Sequence, residues 1–112
     1  MAHIFSMGSN KMKIAKTNLF LLSEINKRLE IKKFSKENDT KCVVLVISKE
    51  YDYCLESINI IEKYYSKDNW TCRNTKYYKV EKKGLFCYAF TFTKNEQKAN
   101  ELQSWEYVKK NL

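Results

Sequence analysis

The stretch Cys42-Val43-Val44-Leu45-Val46-Ile47 decides the fold: six apolar residues run without a break, and four of them are β-branched. β-branched side chains are stiff about their first torsion and pack well on a pleated surface, so the run reads as a strand. Strand side chains alternate between two faces, so an unbroken apolar run predicts cover on both faces and a central place in the sheet.

On the C-terminal side, Ser48 precedes a segment in which Cys54, Leu55, Ile58, Ile61 and Tyr65 share one face at helical spacing. That spacing predicts a helix from about Lys49 to Lys67, ended by Asp68-Asn69. From Trp70 the period falls to two, with Trp70, Cys72, Tyr78 and Val80 on one parity and Arg73, Thr75, Tyr77 and Lys79 on the other. After Gly84 the residues Phe86, Tyr88, Phe90 and Phe92 alternate with Cys87, Ala89, Thr91 and Thr93. A three-residue loop, Lys82-Lys83-Gly84, sets Val80 against Phe86 and Tyr78 against Tyr88, which brings both apolar parities onto one face. Thr93 and Glu96 form a T-x-x-E capping box for a third helix, Lys94 to about Lys110. Its apolar residues Ala99, Leu102, Trp105 and Val108 step by three, so their stripe drifts around the helix.

On the N-terminal side, residues Ser35 to Thr40 have no apolar content and read as an exposed loop. Leu22, Ile25 and Leu29 stand at i, i+3 and i+7, which predicts an amphipathic helix from Asn18 to Phe34, capped by Thr17 or Asn18. Residues 1–16 show neither period and contain Gly8, so they are expected as a flexible N-terminal arm before a single domain over 17–112. The string helix, strand, helix, strand, strand, helix is an α+β fold. It has a three-stranded sheet, antiparallel or mixed, with helices packed on one or both faces.

A chain of 112 residues with 44% apolar and 14% aromatic content supports one hydrophobic core and excludes disorder, collagen-like repeats and flexible linkers. The net charge of +8 comes from 21 basic and 13 acidic residues and implies attraction to nucleic acid or to an acidic protein surface. Nineteen of the basic residues are Lys, and only Arg28 and Arg73 are Arg. Since Arg is the usual reader of guanine edges, this argues for diffuse electrostatic contact rather than sequence readout. An A- and T-rich genome yields the same abundance of Lys, Asn, Ile and Tyr, a composition associated with accessory factors of phages and mobile elements.

Several chemistries are excluded. His3 is the sole histidine, so a nucleophile activated by histidine has no base in the domain. Gly8 and Gly84 are the only glycines, and a phosphate-cradling loop needs several close together. Cys42, Cys54, Cys72 and Cys87 include no C-x-x-C pair, so they read as reduced structural thiols rather than a zinc site or a disulfide framework. Glu50, Asp52 and Glu56 sit where a helix start favours negative charge, which accounts for them without metal. No cofactor is expected. The apolar run Leu19 to Leu22 is too short for a signal-peptide core or a membrane span, so a cytoplasmic protein without membrane contact is expected.

The most suggestive cluster is Arg73, Lys76, Tyr77, Lys79, Lys82 and Lys83, basic and aromatic residues gathered on the expected hairpin. A ring beside several cations is what single-strand binders use, while the plain reading is an edge strand kept soluble and unpaired by Lys. Trp105, on the drifting stripe of the third helix, is a candidate protein interface. The expected function is a small basic non-enzymatic binding module of accessory or inhibitor type, acting on nucleic acid or an acidic protein surface. The alternatives are a toxin-like ribonuclease using Tyr77, Lys79 and Arg73, or a structural assembly protein.

Overall fold

The computed structural model describes residues 2–48, 54–80, 85–94 and 110, with side chains described for 11–48, 54–75, 85–94 and 110. Within them the elements are α1 (Ala2–Ile31), β1 (Lys41–Ser48), α2 (Leu55–Tyr65), β2 (Thr71–Val80) and β3 (Leu85–Thr93). Two helices and an open three-stranded antiparallel sheet make this an α+β fold. No helix among the described residues is long and apolar enough to cross a membrane. The third helix expected from Lys94 and the loop Lys82-Lys83-Gly84 lie outside the described residues, except for Lys94 and Lys110 themselves.

Helix α1 is longer than the periodicity predicts, since residues 2–16, expected as an arm, lie within it. One interior glycine costs a helix only about 1 kcal/mol, and no proline interrupts the segment, so nothing local forces a break. Thr17 is therefore not a cap. It is buried, and its Oγ1 donates to the Lys13 carbonyl at 2.8 Å, one turn back. The buried stripe is Thr17, Leu21 and Ile25, with Leu22 and Leu29 packed at its margin.

The helix stops at a Schellman turn. The Phe34 N–H donates to the Leu29 carbonyl at 2.9 Å and the Lys33 N–H to Glu30 at 3.0 Å, while Lys33 takes the left-handed φ of 54°. The following loop is tied by Asp39, whose carboxylate accepts from the Ser35 N–H at 2.7 Å. Helix α2 starts later than expected, at Leu55 after Cys54, and residues 49–53 are outside the described residues.

The strand order is β1-β3-β2, which corrects the central place expected for β1. An unbroken apolar run reports cover above and below a strand, and says nothing of its lateral neighbours. β1 is an edge strand whose two faces differ: Val44 and Val46 join the main core, while on the other side Val43 is buried with Ala89, Leu45 is half-buried and Ile47 is exposed. The middle place belongs to β3, whose Tyr88, Phe90 and Phe92 face Leu21, Ile25, Ile58 and Ile61 of the helices. Its other parity, Ala89, Thr91 and Thr93, is small and equally buried.

The hairpin register also differs from expectation. Val80 pairs with Leu85 and Tyr78 with Cys87, one residue off the expected pairing. Between Thr75 and Tyr78 the register shifts, so that two residues of β2 oppose Tyr88 alone. This bulge restores Cys72 opposite Phe92, with the apolar parities together at the far end of the ladder. The outer edge of β2 is covered by α2: Glu62 accepts from the Asn74 N–H at 2.8 Å and Ser66 Oγ from the Cys72 N–H at 2.9 Å. Both backbone donors are thereby satisfied at an edge that otherwise invites strand addition.

Candidate nucleic-acid interface

The start of β2, the end of β3 and the last turns of α1 and α2 converge around a cavity of about 350 Å³. Three local devices aim side chains into it. The left-handed Lys33 turns the chain so that Phe34 folds back beside Leu29. Asp68 and Asn69, with φ of 53° and 67°, make a tight turn closed by the Trp70 N–H on the Lys67 carbonyl at 2.9 Å, which delivers Trp70. The last residues of α2 supply Tyr64 and Tyr65 side by side.

The rings form a continuous series, edge-to-face at every step but the tilted Phe34–Phe92 pair. Phe34 meets Trp70 at 5.0 Å and Phe92 at 6.0 Å, Tyr65 meets Phe92 at 5.4 Å, and Tyr64 meets Tyr65 at 5.0 Å. Such contacts leave aromatic surface facing the cavity while fixing each ring. Tyr64 remains 51% exposed, whereas Trp70 is buried.

Cations surround these rings. Lys67 Nζ lies 4.9 Å from the centroid of Tyr64 and Lys94 Nζ 5.4 Å from that of Trp70. Lys36 lines the cavity and pairs with Asp68 at 3.5 Å, a solvent-exposed contact of little strength. No acidic side chain is among the described lining residues. Among its polar uncharged groups is the Asn26 amide, whose Oδ1 accepts from the Tyr65 hydroxyl at 2.6 Å. Burial pushes the Tyr65 phenol well above its ordinary range, with neighbouring Tyr64 and Cys72 adding to it, so its proton stays available for that bond.

The cysteines contribute no comparable site. All four are free, and burial raises the Cys42, Cys72 and Cys87 thiols, which disfavours the reactive thiolate. No group of three or more metal-binding side chains stands together among the described residues.

The expected hairpin cluster is described only in part. Arg73 is half-buried on β2, with Nη1 donating to the Cys72 carbonyl at 3.1 Å. Lys76, Tyr77 and Lys79 belong to the backbone of β2, but their side chains lie outside the described residues, as do Lys82, Lys83 and Trp105 entirely. The bulge separates Arg73, paired with Thr91, from Lys79, paired with Phe86, and these are positions of opposite parity on β3. The aromatic cavity lies at the other end of the sheet from the hairpin turn. Sequence reading misses it because its members come from separated segments, around 26–36, 64–70 and 92–94, with no local motif among them. No protein-family model, curated protein or solved structure matches this chain.

Proposed function

We propose that the protein is a small, basic, non-enzymatic binding module whose partner is single-stranded nucleic acid. The observation that supports this best is the aromatic cavity surrounded by Lys36, Lys67 and Lys94 on a chain of net charge +8. Lysines attract phosphates, and rings give every base a surface to stack on; together they need no sequence code. An acidic protein surface would engage the lysines but has no use for an open aromatic cavity. In this reading the hairpin residues Arg73, Lys76, Tyr77, Lys79, Lys82 and Lys83 add basic contacts separate from the cavity. A third helix over 94–110, with Trp105 offered to a protein partner, and a cytoplasmic setting belong to the same proposal.

The test is the salt dependence of binding to fluorescent RNA and DNA single strands. Log affinity is expected to fall linearly with log salt, by roughly 0.7 per neutralised phosphate. Replacing Lys36, Lys67 and Lys94 together by Glu is expected to cut that slope by about two. Thermal stability should stay within about 1 kcal/mol, because all three side chains are exposed. Undetectable binding to both polymers sinks the proposal and transfers the basic surface to an acidic protein. RNA cleavage that disappears with Tyr77→Phe or Arg73→Ala would replace it with the toxin-like ribonuclease.

A further inference from the structure

We infer that the outer face of α1 pairs antiparallel with α1 of a second copy of this chain. Burial of Thr17, Leu21 and Ile25 fixes the phase of the helix. With about 100° of rotation per residue, Gly8, Met12, Ala15 and Leu19 then share a sector of roughly 60° on the opposite side. Their steps of four, three and four residues make the 3.5-residue repeat of a helix-pairing seam, and Phe5 continues it. Among the described residues nothing covers this face: Met12 is 60% exposed, Leu19 is 69% exposed and Ala15 is exposed. Beyond Leu19 the sector turns polar, with Asn26 and Glu30, which confines the seam to the first part of the helix.

Size and charge identify the occupant. In an antiparallel pair centred between Lys13 and Ile14, Met12 meets Ala15 of the second copy and Leu19 meets Gly8 of the second copy. Each layer thus sets a large residue against a small one, the combination that fills a seam without clash. In the same register the flanking Lys11 lies opposite Asn18 of the second copy, and Lys16 opposite Ser9 of the second copy. A parallel pair would instead set Lys11 against Lys16, a like-charge contact along the seam. The net charge of +8 on each chain opposes association at long range, so the dimer tightens as salt screens that repulsion.

Sedimentation equilibrium of the full chain without nucleic acid tests this independently of the single-strand reading. A reversible dimer is expected, tighter at high salt. Leu19→Glu is expected to leave only monomer at concentrations where the wild type is dimeric, with its thermal transition unchanged because Leu19 is exposed. Ser9→Glu places a carboxylate opposite Lys16 of the second copy in the antiparallel register alone, and is expected to tighten the dimer roughly 2- to 10-fold. A wild-type chain that stays monomeric, or a dimer that survives Leu19→Glu, overturns the inference. A dimer lost with Leu19→Glu but not tightened by Ser9→Glu overturns the antiparallel arrangement.

Discussion

Replacing Val44 by Asp is expected to abolish folding. Val44 is fully buried, pairs with Phe90 across the β1–β3 ladder and belongs to the main core cluster. An unpaired carboxylate in that position costs several kcal/mol, against a total stability of roughly 5–15 kcal/mol for a domain of this kind. Lys41→Glu, at the exposed start of the same strand, should leave the unfolding transition nearly unchanged. From sequence, Val44 and Leu45 are equivalent in this respect. The structure separates them: Leu45 is only half-buried, on the other face, so Leu45→Asp should cost less than Val44→Asp. Denaturant titrations followed by far-ultraviolet circular dichroism rank the variants. Similar midpoints for Val44→Asp and Lys41→Glu would remove β1 from the core.

Trp70→Ala is expected to cost about 3–5 kcal/mol, the usual loss for truncating a buried large aromatic side chain. Trp70 is buried in the main core, meets the edge of Phe34 at 5.0 Å and forms a wall of the cavity. Its removal takes out both a core contact and the ring that holds Phe34 in place, so stability and single-strand affinity should fall together. Trp70→Phe retains a ring and should keep most of both. Denaturant midpoints give the stability, and fluorescence anisotropy with a labelled strand gives the affinity. A loss below about 1 kcal/mol for Trp70→Ala would mean that the indole is peripheral to the core.

Elements were legible in the sequence where one period dominates. The aromatic alternation Phe86, Tyr88, Phe90, Phe92 marks β3, and the spacing of Ile58 and Ile61 marks the buried face of α2. Lateral order was not legible, because the run Cys42 to Ile47 records cover above and below and not its neighbours. The bulge after Thr75 has no local signature: no glycine lies in β2, and the shift arises from matching two ladders with different side-chain parities. The length of α1 was hidden because the apolar residues among 2–16 are divided between two faces of the helix, although their propensities permit a helix. The candidate site was hidden for a related reason. Phe34 and Trp70 each follow a left-handed turn built without glycine, at Lys33 and at Asp68-Asn69, and only the folded chain brings these turns together.

The central claim is that single strands are held by stacking in the aromatic cavity as well as by charge. Its most direct test compares one labelled strand of about 12 nucleotides with its own duplex at fixed salt, in a Trp105→Phe protein where Trp70 is the sole indole reporter. The single strand is expected to bind at least about tenfold tighter than the duplex and to change Trp70 emission, since a paired base cannot enter the cavity. Equal affinity for strand and duplex, with Trp70 emission unchanged by either, would contradict it.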